Sequence, residues 1–511
     1  MGNTLVHSLY EVVRRAPERE AVVAGGRRTV YLELWQMVCA TAGFLRDKGL
    51  QPGDRVALLL GNSPEYIAIY YGALAAGGVV VGLNSQAKAR NLSGWLRHCG
   101  ASWLFAEAGH PELQRVASAV ADLSIGFVLL GERREGGAEV PCHPWQELLE
   151  ATVTEPDLAT LRLEQTAAII YTSGTTGRPK GVTLSHGNLS SNVSSIQRYL
   201  QLGAQDRVLN ILPFYYSYGN SVLHTHLAVG ATLVLESNLL FPHKVMSAMV
   251  RERATGFSGV PSTFAILLSR TRLERYDLSS LRYMTQAGGA MAPAQIERLR
   301  RKIPHVRFFV MYGQTEATAR LAWLPPEMLE SKPGSIGIAI PGVRLELRDE
   351  SGRAVPTGKT GEIWAFGENI MQGYWRDPEL TARVLQDGWL KTGDLAHSDE
   401  DGYLYLDGRS VDIIKSGDYR ISPKEIEEVI LELESVEEVV VIGVPDELLG
   451  QVIKAVIVPS PGAQIEIKQI RAHCWKHLAI YKVPKFVDFV TELPKTASGK
   501  VQRFLLAEQH R

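Results

Sequence analysis

Over residues 1–130, short uniformly apolar runs alternate with stretches in which apolar residues recur every three or four positions. The runs at 55–60, 78–83, 103–106 and 124–130 predict strands. The periodic stretches at 29–48 and 63–76 predict helices, the second opened by Ser63-Pro64. Strands separated by helices predict βαβ units and a largely parallel sheet. Residues 131–157 are polar and broken by Gly and Pro, which predicts a surface connection with a short helix at 145–151. The alternation then resumes. Strands are predicted at 168–171, 207–211, 232–235, 256–260, 283–286 and 308–312, with helices at 187–200, 217–228, 242–253, 261–268 and 293–302.

The pattern changes after residue 345. Residues 345–366 and 389–406 are short apolar segments divided by Gly-Lys, Asp-Gly and Glu-Asp-Gly, as in small antiparallel sheets. Residues 421–433, 436–444, 454–458 and 467–477 then read as helix, strand, strand, helix, enough for a small α+β unit. The expected boundary lies near Arg409, dividing the chain into 1–408 and 409–511.

Composition narrows the function classes. The chain has 511 residues, 54 Lys+Arg against 55 Asp+Glu and a formal net charge of −1. At about 150 residues per domain it is long enough for two to four units. Near-neutrality argues against binding nucleic acid through a generally basic surface. Cys39, Cys99, Cys142 and Cys474 have neither metal nor disulfide spacing, and the N-terminal segment carries Glu11 and no long apolar core. No apolar stretch is long enough to span a membrane. The expectation is a cytoplasmic α/β protein of open oligomeric state.

The strongest chemical signal is Thr172-Ser173-Gly174-Thr175-Thr176-Gly177-Arg178-Pro179-Lys180-Gly181, directly after the apolar run Ile169-Ile170-Tyr171. Glycines let the backbone turn tightly and present N–H groups to an anion, hydroxyls add donors, and Lys180 adds charge. This array suits a triphosphate and is not a Walker A loop. A Gly/Thr surface loop is the plain alternative. The buried strand before the segment and the Arg-Pro-Lys-Gly after it favour phosphate.

The segment resembles the signature of the adenylate-forming superfamily: acyl- and aryl-CoA ligases, peptide-synthetase adenylation domains and firefly luciferase. Further motifs follow in the family's order: Tyr312-Gly313-Gln314-Thr315-Glu316, Thr392-Gly393-Asp394, Gly408-Arg409 through Ile414-Lys415, and Pro494-Lys495-Thr496-Ala497-Ser498-Gly499-Lys500. The resemblance covers roughly residues 10–505. It implies a large N-terminal domain of doubly wound, mostly parallel sheets with a small distorted β-barrel, and a small α+β C-terminal domain that rotates between half-reactions. It also implies that a carboxylic acid and ATP form an acyl-adenylate and pyrophosphate, after which a thiol, coenzyme A or a carrier-protein pantetheine, displaces AMP.

Residue roles follow from the same resemblance. The nucleotide falls to Thr172, Ser173, Gly174, Thr175, Thr176, Gly177, Lys180, Gly288, Gly289, Ala290, Tyr312, Gly313, Gln314, Thr315, Asp394, Arg409, Lys415 and Lys500. Glu316 is the expected Mg²⁺ carboxylate, a hard oxygen ligand for a hard ion. Lys180, Thr315, Glu316 and Lys500 are the expected catalytic groups. Tyr215, Tyr216, Ser217, Tyr218, Asn220, Val260, Ala287, Gly289 and Met291 are the expected walls of the acid pocket.

Three positions depart from the family's pattern. Tyr216 stands where many of these ligases have histidine, and tyrosine is a poor base near neutral pH. Ser217 stands where peptide-synthetase domains place the aspartate that pairs with a substrate ammonium. Val411 occupies the usual place of a polar hinge residue, with Asp412 next. An acyl-CoA-forming ligase is the first expectation. A stand-alone enzyme loading a separate carrier protein, and a nucleotide- or acyl-binding protein with degenerate chemistry, are the alternatives. His224 and His226 lie two apart on a predicted helix and do not share a face, which points to a structural role.

Overall fold

The uniformly apolar runs become parallel strands. The computed structural model of the chain describes residues 3–131, 141–150, 154–172, 180–236, 239–409, 414–416, 419–446, 449–496, 499 and 501–508. Glu20–Ala24, Thr232–Leu235, Arg207–Asn210, Gly256–Gly259, Tyr283–Gln286 and Arg307–Tyr312 lie side by side and parallel. Thr232–Leu235, Gly256–Gly259 and Tyr283–Gln286 are buried at every position, as strands covered on both faces must be. A second sheet aligns Gly126–Leu130, Ala101–Glu107, Arg55–Leu59, Val79–Gly82 and Thr166–Thr172 in parallel.

Helices fill the space around and between these sheets. Pro64–Ala75 starts where Ser63 Oγ accepts from Tyr66 N, with Pro64 preset for the first turn, and it is buried on all sides. It crosses Tyr31–Asp47 at Gly72, where a Cβ would stand 2.5 Å from Thr41 Cβ. Leu5–Arg15, capped by Thr4, buries Leu5, Val6, Leu9, Val12 and Val13 on one face.

Beyond Arg307–Tyr312 the first sheet turns antiparallel through Ala322–Leu324, Ser335–Ala339, Leu404–Arg409, Trp389–Ser398, Gly361–Gly367 and Val343–Arg348. In its described pairing, the region expected to form a small barrel is this ladder, continuous with the parallel strands. Ser335–Ala339 joins the two parts. Its Gly337 has φ +88°, and a Cβ there would meet the Trp323 carbonyl oxygen at 1.9 Å.

The C-terminal unit is α+β. Val436–Asp446 and Gly450–Pro459 form a long antiparallel pair, joined by Ile414–Ser416, Tyr419–Ile421 and the parallel strand Phe486–Phe489. Pro423–Ile430 and Ile467–His477 cover one face through Ile426, Ile430, Ile470 and Cys474. Val440, Ile442, Val452 and Val456 on the other face pack against Leu493 and Leu506.

Several elements differ from the sequence reading. Leu5–Arg15, the hairpin Glu20–Ala24/Arg27–Val30, the helices Ala89–Cys99 and Leu113–Ala119 and the strand Lys180–Ser185 were not expected. The helix read at 29–48 starts at Tyr31, after the strand Arg27–Val30. The helix read at 421–433 is the strand Tyr419–Ile421 followed by Pro423–Ile430, because Pro423 takes the first helical position.

His224 and His226 both lie in the helix Ser217–Val229 and point to different neighbours. His224 Nδ1 lies 2.9 Å from Tyr71 Oη. His226 Nδ1 donates to the Val222 carbonyl at 2.7 Å, and its Nε2 lies 2.6 Å from Tyr283 Oη. Burial pushes their pKa values down from 6.5, to about 3 and about 4.

Two predictions follow from this packing. Gly337→Ala should lower stability by about 3 kcal/mol through backbone strain and a clash with the Trp323 carbonyl, read as a lower urea midpoint. Both buried histidines are neutral in the folded chain and take up protons on unfolding below pH 6.5. Their stabilisation is therefore complete above that pH and falls as pH drops towards 4, by about 1.4 kcal/mol per pH unit for each histidine. Urea midpoints at several pH values between 7 and 4.5, compared with those of His224→Gln, should show a shallower decline in the variant.

Candidate active site

Crossover connections put the carboxyl ends of the parallel strands and the starts of the following helices on one edge of the sheet. A cavity of about 1400 Å³ opens there. Three helices start at its wall: Ser217–Val229, Pro261–Arg270 and Pro293–Lys302. The backbone N–H groups of a first helical turn lack intrahelical partners and carry partial positive charge, so such starts favour anions.

The segments singled out in the sequence meet around this cavity. Thr172 ends one strand and Lys180 begins its antiparallel partner. They face each other across the ladder, and both line the cavity. Ser173, Gly174, Thr175, Thr176 and Gly177 lie outside the described residues. Gly288, Gly289 and Ala290 form the turn after Tyr283–Gln286. Gly288 has φ +86°, a conformation glycine adopts without steric cost, and the Gly289 carbonyl accepts from Gln286 Nε2 at 2.6 Å.

Tyr312 closes the strand Arg307–Tyr312, and its Oη donates to Asp394 Oδ2 at 2.7 Å in a buried contact. Asp394 lies on Trp389–Ser398 directly after Gly393, where the ladder register shifts; Gly393 has φ +75° and donates its N–H to Glu362 Oε1 at 3.0 Å. Arg409 is the ladder partner of Asp394. Lys415 lies on the strand Ile414–Ser416. The side chains of these two residues, and Val411, Asp412 and Lys500, are outside the described residues. Gly499 and Val501, which flank Lys500, line the cavity, and Ser262 Oγ donates to the Gly499 carbonyl at 3.3 Å. Gly499 of the C-terminal motif thus meets the wall formed by the large unit at Ser262.

Gly313, Gln314, Thr315 and Glu316 follow Tyr312 along the wall. At Gly313 a Cβ would stand 2.2 Å from the Ala319 carbonyl oxygen, so the turn into Thr315–Ala317 requires glycine. Thr315 Oγ1 lies 3.1 Å from Ser217 Oγ. Glu316 Oε1 accepts from Tyr374 Oη at 2.9 Å. Burial, reinforced by the adjacent Glu316 carboxylate, pushes the Tyr374 phenol well above its ordinary pKa, which keeps it a hydrogen-bond donor.

Of the expected acid-pocket residues, Tyr216, Ser217, Tyr218, Val260, Gly289 and Met291 line the cavity, whereas Tyr215, Asn220 and Ala287 are not among its walls. Tyr216 Oη accepts from Asn84 Nδ2 at 3.4 Å. Tyr218 Oη lies within hydrogen-bond reach of the Thr285 hydroxyl and carbonyl, and the Arg320 guanidinium sits 4.1 Å above its ring. Sequence reasoning missed Tyr374, Glu362, Ser262 and Arg503 as wall residues. Of these, only Gly373-Tyr374-Trp375 carried a local signal, an aromatic pair behind a glycine.

Comparison with known proteins agrees with this arrangement. Models of the AMP-binding enzyme family and of its C-terminal domain match residues 9–375 and 425–500. A feruloyl-CoA synthase from an Amycolatopsis species is 38% identical over 96% of this chain and 95% of its own length. An indoleacetate–CoA ligase from Aromatoleum aromaticum is 35% identical over 95% and 94%. Among solved structures, the anthranilate CoA ligase AuaEII in complex with anthranoyl-AMP superposes with TM-score 0.90 at 27% identity, covering 100% of this chain and 98% of that one. ATP-bound MatB from Rhodopseudomonas palustris gives 0.88 at 31%, covering 100% and 99%. Matched from end to end in sequence and in fold, the chain belongs to the AMP-binding enzyme family and is an AMP-forming acid–thiol ligase, which uses ATP to convert a carboxylic acid to an acyl-adenylate with release of pyrophosphate and then transfers the acyl group to coenzyme A.

Proposed function

We propose that the acid is an aryl-bearing carboxylic acid without a free α-ammonium group. We further propose that residues 1–408 form the adenylation domain and 409–511 a mobile lid, and that the nucleotide binds with Mg²⁺. The observation that carries the reading is the single cavity walled by Thr172 and Lys180, Tyr216–Gly219, Gly288–Met291, Tyr312–Glu316, Thr392–Asp394 and Gly499. Tyr216, Tyr218, Val260 and Met291 give the acid subsite a largely aromatic and apolar surface. Ser217 offers a neutral hydroxyl, which cannot offset the cost of desolvating an ammonium group. Two relatives are named for feruloyl-CoA and indoleacetate, an aryl-bearing acyl thioester and an aryl-bearing acid.

In the first half-reaction a carboxylate oxygen attacks the α-phosphorus, and the bond to the bridging oxygen of pyrophosphate breaks. Positioning and charge stabilisation supply most of the catalysis. The segment 172–180 and Lys180 hold the phosphates, and the starts of the helices at Ser217 and Pro261 add partial positive charge. Tyr312 and Gly288–Ala290 flank the base, while Asp394 and Arg409 serve the ribose. Thr315 and Glu316 supply the hard oxygen donors that suit Mg²⁺, which would neutralise phosphate charge when bound. Lys500 neutralises charge that develops on the reacting groups. In the second half-reaction the lid turns, the coenzyme A thiolate attacks the acyl carbon, and AMP leaves. We take the site of action to be cytoplasmic, as cysteines scattered without disulfide or metal spacing suggest.

Hydroxylamine trapping across aromatic, aliphatic and amino acids tests the substrate class. The largest rates are expected with arylalkenoic and arylacetic acids, and a preference for long-chain aliphatic or amino acids would overturn it. Lys500→Ala should slow adenylate formation by about 100-fold, as expected for a lost transition-state charge contact. Thioester formation from supplied acyl-adenylate should be much less affected. Equal losses in both half-reactions would reject the role given to Lys500.

A further inference from the structure

Residues 371–375 form a strap between two parts of the active site that belong to different sheets. The Met371 N–H donates to the Glu316 carbonyl at 2.9 Å. The Gln372 N–H donates to the Thr183 carbonyl at 2.9 Å, and the Trp375 N–H to the Gly181 carbonyl at 2.7 Å. Gly373 and Tyr374 pair in the ladder with Thr183 and Val182. One end of the strap therefore grips the turn that carries Glu316. The rest grips the strand that begins at Lys180, directly after the phosphate-binding segment.

The strap is itself held firmly. Trp375 Nε1 donates to the His98 carbonyl at 3.2 Å, and the Gln372 side chain bridges Thr166 Oγ1 and the Glu164 carbonyl at 2.8 and 2.9 Å. Tyr374 N donates to Thr381 Oγ1 at 2.9 Å. Gly373 has φ +145°, and a Cβ there would meet Thr381 Cγ2 at 2.8 Å. A Cβ on Gly181 would stand 2.8 Å from Ile169 Cγ2 and 3.2 Å from Trp375 Cβ, so strap and strand lie closer than a larger residue permits.

From this fixed frame, Tyr374 Oη reaches Glu316 Oε1. We propose that Tyr374 is a positioning residue for the adenylation step. By occupying one oxygen of Glu316, it fixes the carboxylate and leaves the other oxygen as the one that would meet Mg²⁺ when the nucleotide is bound. The proposal rests on the reading of Glu316 as the metal carboxylate. Its physical basis is that a ligating carboxylate is oriented by the hydrogen bond made by its second oxygen. Among the described residues, Tyr374 is the one side chain bonded to this carboxylate.

Tyr374→Phe removes the hydroxyl and keeps the ring. The test measures Mn²⁺ binding to the full-length protein by electron paramagnetic resonance, in the presence of a non-hydrolysable ATP analogue. The variant should bind Mn²⁺ about 10-fold more weakly, the lower end of what losing such a partner costs. Its kcat for adenylation should fall, while its melting temperature and KM for the acid stay at parental values. Glu316→Gln is the comparator. If Glu316→Gln weakens Mn²⁺ binding and Tyr374→Phe leaves it within about twofold of the parent, the assignment of Tyr374 is overturned. If neither variant weakens binding, the reading of Glu316 is wrong and the role of Tyr374 goes with it. A fall in melting temperature with Mn²⁺ affinity retained would mark Tyr374 as structural and overturn the proposal.

Discussion

A parallel sheet can satisfy its hydrogen bonds only if each strand is followed by a crossover, and here helices supply those crossovers. One chemical consequence governs the rest of this structure. The helix starts collect on the same edge as the carboxyl ends of the strands, and their unpaired N–H groups give that edge a fixed positive polarisation. The helices starting at Ser217, Pro261 and Pro293 all meet the cavity there. A ligand with phosphate and carboxylate groups is met by oriented dipoles that need no rearrangement, the condition under which electrostatic stabilisation is most effective.

The antiparallel ladder supplies what helix starts cannot. Asp394, the residue proposed to serve the ribose, sits on Trp389–Ser398, several strands away from Tyr312 in the sheet order. The continuous sheet still brings them together, with Tyr312 Oη on the Asp394 carboxylate. Gly337 lets the ladder pass close under Trp323 and so sets how far this part of the wall stands from the parallel strands. Polar contacts within the wall thus depend on backbone geometry at positions remote from the chemistry.

Much of this was legible in the sequence because chemistry and burial leave different marks. Several parallel strands carry apolar runs, as at Val79, Val80 and Val81, and the parallel α/β class follows from their spacing, although Gly256–Gly259 and Tyr283–Gln286 are buried with Ser258, Thr285 and Gln286 in them. The segments that line the cavity are rich in residues with unusual backbone or charge, such as Gly288, Gly393 and Lys180. Elements half exposed to solvent were harder to read. Ala89–Cys99 buries only Leu92, Leu96 and Cys99, a narrow stripe on an otherwise polar helix, and Leu113–Ala119 is two turns long, so each offers few apolar positions to read. Lys180–Ser185 begins inside the Gly- and Thr-rich segment 172–181, read as a loop, and the closeness of Ile169 and Trp375 explains why glycine is needed at 181. Asn220, one of the expected acid-pocket residues, lies two positions after Tyr218. On a helix that step carries a side chain away from the face its neighbour presents, and Asn220 is buried outside the cavity.

The substitution of tyrosine at 216 bears on how the acid is handled. A histidine at this place can change charge near neutral pH, whereas a tyrosine there cannot. Tyr216 caps the helix Ser217–Val229 without a side-chain capping bond, and its ring centroid lies 4.6 Å from that of Tyr215. On the proposed reading, it supplies surface area and a hydroxyl to the acid subsite. The electrostatic work near the carboxylate then passes to the helix dipole and the lysines. Such an arrangement suits an acid with a large flat body, because the aromatic wall gains contact area in proportion to the substrate's own apolar surface, while the carboxylate end meets the same polarised edge whatever the body is.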